Sequence, residues 1–194
     1  MKHEISRSDI LPMDRYAAER KERYRAISAV KQNRRVEVGP FATLYFENYD
    51  TMWFQVHEML HIERGGEEQI AGELEAYNPL IPQGAELIAT FMIEISDPDR
   101  RNRVLATLGG IEDTIAIRTG GQTIRAMAET DLERTDETGR TSSVHFLHFA
   151  FSPAQIDAFG APGAEVVISI SHPNYRHMAV LPEAVRAALA EDFD

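Results

Sequence analysis

The sequence predicts an α+β fold: a mainly antiparallel β-sheet with helices packed on it, opened by an N-terminal helix and closed by a C-terminal one. Three observations predict it. Short stretches of alternating apolar and polar residues recur along the chain, as half-buried strands require. They are joined by a two-glycine turn or by short helical segments, not by the long crossovers that parallel strands need. Both ends read as helices opened by proline, at Pro12 and Pro182.

The elements follow in order. From Pro12 to Gln32, Tyr16, Arg20, Tyr24, Ile27 and Val30 fall on one helical stripe. "RRVEVGPFATLYFEN" (34–48) alternates and carries Val, Phe and Tyr, so it reads as strand or hairpin, interrupted at Gly39-Pro40. Asn48 or Asp50 can cap a helix starting near Thr51, which ends or kinks at Gly65-Gly66. "EEQIAGELEAYNPLI" continues helical until Asn78-Pro79 stops it. "AELIATFMIEIS" (85–96) is a strand, and Asp97-Pro98 opens a short helix. "DTIAIRTGGQTIRAMAE" (113–129) reads as a hairpin about Gly120-Gly121. "VHFLHFAF", "AEVVISIS" and "YRHMAVL" are further strands. A short helix follows Ser152-Pro153, and "PEAVRAALAEDF" closes the chain.

With 194 residues and no evident linker, the chain reads as one domain, large enough to fold without a disulfide or metal staple. Residues 1–10 are expected to be a flexible lead-in, and "TDLERTDETGRTSS" (130–143) a mobile polar loop. The absence of cysteine excludes disulfides, thiolate metal sites and cysteine nucleophiles, so a metal would need His, Asp or Glu ligands. No apolar run approaches a membrane span and the N-terminus is too polar for a signal peptide, which makes the cytoplasm the expected location. Net charge is −11, unevenly spread: residues 1–35 carry +5 and the remainder −16. An acidic body disfavours nucleic acid and anionic membrane. The basic N-terminal segment is expected to lie against acidic protein surface, its own or a neighbour's.

One stretch names a chemistry. "HEMLH" (57–61) places His57 and His61 one turn apart on a helix face, where both imidazoles can reach one Zn²⁺, with Glu58 placed as the base that activates a metal-bound water. Zinc is the cofactor that reading names, and it needs a third ligand. The extended pattern fails, because Arg64 stands where glycine is required. Downstream glutamates are too numerous to single one out. On a helical wheel Met52, Val56, Met59 and Leu60 form the apolar stripe, and the two histidines lie on its flank. The competing reading is a helix flank without catalysis. Glu63 falls near the middle of that stripe. It is therefore expected to be buried and ion-paired with Arg34 or Arg35.

The strings "RRVEVGP", "LYFENYDTMWFQVHEMLHIER", "ELEAYNPLIP", "ELIATFMIEI" and "SHPNY" together resemble a bacterial family, domain of unknown function 3501, over nearly the whole chain. The resemblance implies a single-domain bacterial protein without an assigned activity, often encoded near redox enzymes. It implies the polar set Arg35, Glu47, Asn48, Glu58, Glu63, Tyr77 and Asn78, and it does not require histidine at 57 and 61. The favoured reading is a non-catalytic accessory protein in redox or oxidative-stress physiology. Its partner is a small molecule, another protein or a second copy of the chain. The alternative is a zinc-dependent hydrolase.

Overall fold

The computed structural model describes residues 2–129 and 139–194. Most of the loop expected at 130–143 therefore lies outside the described residues. Among the described residues, nine strands form two antiparallel sheets. The first comprises β1 (Arg35–Glu37), β2 (Ala42–Glu47), β3 (Glu86–Ile93), β6 (Met127–Ala128) and β7 (Val144–Ala150), in the order β1-β2-β3-β7-β6. The second comprises β4 (Ile115–Thr119), β5 (Gln122–Arg125), β8 (Val166–His172) and β9 (Tyr175–Val180), in the order β5-β4-β8-β9.

Alternation explains how the sheets stack. Along β2, Leu44 and Phe46 point one way, as do Leu87, Ala89 and Phe91 on β3 and Leu147 and Phe149 on β7. They meet Ile117, Ile168 and Ile170 of the second sheet in one apolar core. The expected hairpin at 113–129 is present, with Gly120 and Gly121 both at positive φ as a tight turn requires. Its second arm does more than close the hairpin: β5 pairs with β4, then the chain crosses at Ala126 and β6 pairs with β7 in the other sheet. One run of chain thus forms a corner of the sandwich.

The other face of the first sheet is covered by helices. The long helix α1 (Met13–Gln32) lies on α2 (Tyr49–Glu63), and α3 (Glu67–Tyr77) follows. Met52, Val56 and Leu60 of α2 and Ile70 of α3 pack with Ile88 of β3 in a second core. Three short helices, α4 (Pro98–Leu105), α5 (Pro153–Gly160) and α6 (Glu183–Ala190), fill the ends.

Two expectations need correction. The flexible lead-in is packed instead: Ile5 and Ile10 are buried in the second core, and the Asn78 side chain bonds both the N–H and the C=O of Ile5. Glu63 is exposed, not buried. The helix stops there, with Arg64 in the left-handed region at φ 57°, so the last turn runs past the surface that supports the stripe. Glu63 accepts a hydrogen bond from Gln69 at 2.8 Å. Arg34 is buried, but its partner is Asp192, close to the C-terminus.

Candidate functional site

Helix α2 begins at a reciprocal cap. The Asn48 side chain accepts from the Thr51 N–H at 3.0 Å, and the Thr51 hydroxyl accepts from the Asn48 N–H at 2.9 Å. From there the helix carries Trp53, His57, Glu58 and His61 towards α1. Sequence periodicity left this flank without an assigned neighbour; the structure places α1 on it.

His57 is fully buried. Its Nδ1 lies 2.7 Å from the Trp53 carbonyl, so that nitrogen donates, and its Nε2 accepts from the Leu11 N–H at 3.1 Å. These partners fix one neutral tautomer and use both ring nitrogens. Burial, the larger cause, and the nearby Arg23 charge push its pKa below the ordinary histidine value. The ring is sandwiched between Trp53 at 3.8 Å and Tyr16 at 4.9 Å, centroid to centroid. Trp53 Nε1 also donates to the Asp9 carbonyl at 2.9 Å. The first histidine of HEMLH therefore staples the N-terminal segment to α2.

Glu58 is equally committed. Arg20 donates to both of its oxygens, Nε at 2.8 Å and Nη2 at 2.7 Å, and the Tyr16 hydroxyl donates at 2.7 Å. The Arg20 guanidinium holds this carboxyl below its usual range, while burial and Glu58 raise the Tyr16 phenol. His61 sits at the edge of the Tyr16 ring. A zinc hydrolase needs His57 to offer a lone pair and Glu58 to face a metal-bound water. Here the lone pair is spent on Leu11 and the carboxylate on Arg20 and Tyr16. Among the described residues, no group of three or more His, Asp or Glu is placed to hold a metal ion. The Arg20–Glu58 and Arg7–Glu67 pairs do place the basic N-terminal segment against acidic residues of the body.

The implied polar set is divided by the fold. Arg35 is exposed, pairs with Glu37 and stacks its guanidinium 5.7 Å from the Tyr45 ring. Asn48 is spent on the cap and Asn78 on Ile5. Glu47 and Tyr77 share a cleft of about 390 Å³ between the open face of the first sheet and the helices.

Strand register builds the cleft floor. On this face Glu47 stands beside Ile88, Tyr45 beside Thr90 and Thr90 beside Phe146. Helices α2 and α3 cover Ile88 but leave the next row, Tyr45–Thr90–Phe146, open beneath the cleft. Met52, Gln55, Leu80 and Met92 line its sides. Glu47 is only 7% exposed, and its Oε1 accepts from the Thr90 hydroxyl at 2.7 Å. Its other oxygen has no hydrogen-bond partner among the described residues. Two cations also line the cleft. Arg34 is neutralised by Asp192 and by the carbonyls of Phe46 and Glu47. Lys31 is exposed to water. The acceptor that faces the cleft with an oxygen to spare is thus the Glu47 carboxylate.

Thr90, Tyr45 and Gln55 escaped the sequence reading. A signal for Thr90 exists: it is the one hydroxyl in the apolar run Leu87–Ile93, and its parity places it with Ile88 and Met92.

The profile of a family described as protein of unknown function (DUF3501) matches residues 4–193. A crystal structure of a novel protein of unknown function from Burkholderia pseudomallei K96243 is similar throughout, at 39% identity and a TM-score of 0.90 over 98% of this chain and 99% of that one. No curated protein matches the chain.

Proposed function

The chain belongs to the DUF3501 family of proteins of unknown function, and from that premise we propose that it is a non-catalytic binding protein. Its ligand is a small amphiphilic amine, held in the cleft with the ammonium at Glu47 and the apolar body over Phe146 and Met92. The observation that carries this reading is the Glu47 carboxylate, buried at the cleft with one oxygen bonded by Thr90 and the other unpartnered. A buried carboxylate is costly unless paired, and an ammonium supplies both charge and hydrogen-bond donors. The mixed lining, mostly apolar with a few convergent polar groups, is the usual make-up of a small-molecule site.

Thermal unfolding in the presence of hexylamine or hexanoate tests the proposal. Hexylamine raises the melting temperature of the parent protein and leaves that of Glu47→Gln unchanged. Hexanoate stabilises neither. Equal stabilisation by the acid, or an undiminished amine effect in Glu47→Gln, refutes the assignment. The physiological setting we propose, redox or oxidative stress, rests on the family resemblance. Deletion of the gene is expected to sensitise its bacterium to peroxide; an unchanged survival curve counts against that setting.

A further inference from the structure

The two sheets differ in what covers their outer faces. Helices lie over the first. Among the described residues no helix lies over the outer face of the second: strand parity directs Thr123 and Arg125 of β5, Ala116 and Arg118 of β4, Val167, Ser169 and Ser171 of β8, and Arg176, Met178 and Val180 of β9 away from the core, with the small Ala116 and Ser169 at its centre buried among their larger neighbours. Met178 is 68% exposed and Val180 60%. Val180 stands directly beside Val167, and Met178 beside Ser169, so the apolar residues form one strip.

The charged residues on this face are all cations. Arg118, Arg125 and Arg176 are all exposed, and none makes an ion pair or a side-chain hydrogen bond among the described residues. The ten outward residues include no carboxylate, in a chain whose net charge is −11. One acid, Glu165, shares the adjoining hollow with Arg118 and forms no ion pair there among the described residues. On α1, by contrast, three of the four arginines, Arg15, Arg20 and Arg23, pair with a glutamate.

We propose that the outer face of the second sheet is a docking surface for an acidic amphipathic helix of another protein, whose apolar stripe covers Val167, Met178 and Val180 while flanking carboxylates pair with Arg118, Arg125 and Arg176. Size agrees: four strands at about 4.8 Å spacing give a face roughly 14 Å across, room for one helix of about 10 Å diameter. A helix laid on a sheet is also the ordinary way to cover such a face. Symmetric pairing of two copies through this face would set the three arginines against their equivalents, which like-charge repulsion opposes. Nucleic acid would satisfy the arginines, but it leaves the Met178–Val180 strip without an apolar partner and meets the repulsion of an acidic body.

Fluorescence anisotropy with the full chain tests this. The probe is a labelled synthetic helix with leucines at i, i+3, i+4 spacing flanked by glutamates; poly-glutamate and oligo-deoxythymidine are the comparisons. The leucine–glutamate helix is expected to bind best and to weaken as salt is raised. Arg118→Ser/Arg176→Ser and, separately, Met178→Ser/Val180→Ser each weaken it by about tenfold or more, while both variants keep the parent melting curve. No binding of the helix, or binding that ignores either pair of substitutions, overturns the proposal. So does tighter binding of the oligonucleotide. A dimer in sedimentation that dissolves on Arg118→Ser/Arg176→Ser would assign the face to self-association instead.

Discussion

Arg34→Ala should be among the most damaging single substitutions in the chain. The guanidinium stands where α1 hands over to β1. Its Nε donates to the Phe46 carbonyl at 3.0 Å, Nη2 to the Glu47 carbonyl at 3.0 Å, and both terminal nitrogens engage the Asp192 carboxylate. Arg34 is 4% exposed and Asp192 1%, so solvent cannot replace what is lost. Removing the arginine strands a buried carboxylate, at a cost of about 3–5 kcal/mol. For a chain of this size each kcal/mol moves the melting temperature by roughly 2–4 °C, so a fall of about 6–20 °C is expected. The deficit also has a pH signature. Burial already raises the Asp192 carboxyl above its ordinary value, with Arg34 opposing. Without Arg34 it rises further. The folded variant then takes up a proton more readily than the unfolded chain, and its deficit relative to the parent narrows as pH falls from neutrality. The assay is thermal unfolding of Arg34→Ala and Arg34→Met/Asp192→Leu across that range. The double variant should lose less than Arg34→Ala, because it leaves no buried charge. An Arg34→Ala melt within a degree or two of the parent, or a deficit that widens on acidification, refutes this account.

Glu63→Ala, by contrast, removes an exposed side chain bonded only to Gln69 and should change stability by no more than about 0.5 kcal/mol in denaturant titration. His57→Phe keeps an aromatic ring between Trp53 and Tyr16 but orphans the Leu11 N–H, and should cost about 1–3 kcal/mol. The pH dependence follows from the direction of the shift. With the His57 pKa depressed below 6.5 in the folded state, its contribution is full above 6.5 and is lost as pH falls towards the folded value. His57→Phe should therefore flatten the acid side of the stability curve. His148 has the opposite sign. Glu86 first, with Glu129, raises its pKa above 6.5, so its contribution is full below 6.5 and is lost as pH rises through the folded value. His148→Gln should erase that loss, read as melting temperature against pH. Gly39 sits at φ +80°, where an added Cβ would lie 2.5 Å from both the His177 ring and the Tyr175 hydroxyl. Gly39→Ala should cost more than about 1 kcal/mol, measured by urea unfolding.

Local chemistry determined much of this molecule from the sequence alone. The helix of residues Met13–Gln32, the Asn48 cap, the stop at Asn78-Pro79 and the Gly120-Gly121 turn each depend on a few neighbouring residues, and each is found. So is the antiparallel α+β class, because short connections and strand alternation are written residue by residue. Tertiary structure alone decided the rest. The wheel of α2 shows which flank is apolar, but not that α1 buries the histidine flank, so in the sequence HEMLH stays open between a plain helix flank and metal chemistry, and packing engages His57 with Leu11 and Trp53. The same wheel placed Glu63 on the apolar stripe without showing that the supporting surface ends before it. Arg34 was rightly suspected as a buried cation, yet its partner lies 158 residues away, at Asp192. Glu47 and Tyr77 were named by resemblance, whereas Thr90 and Tyr45 joined them only when strand register set them side by side. In each case the deciding contact is between elements distant in sequence. Periodicity reports which face of an element is apolar; packing decides what meets it.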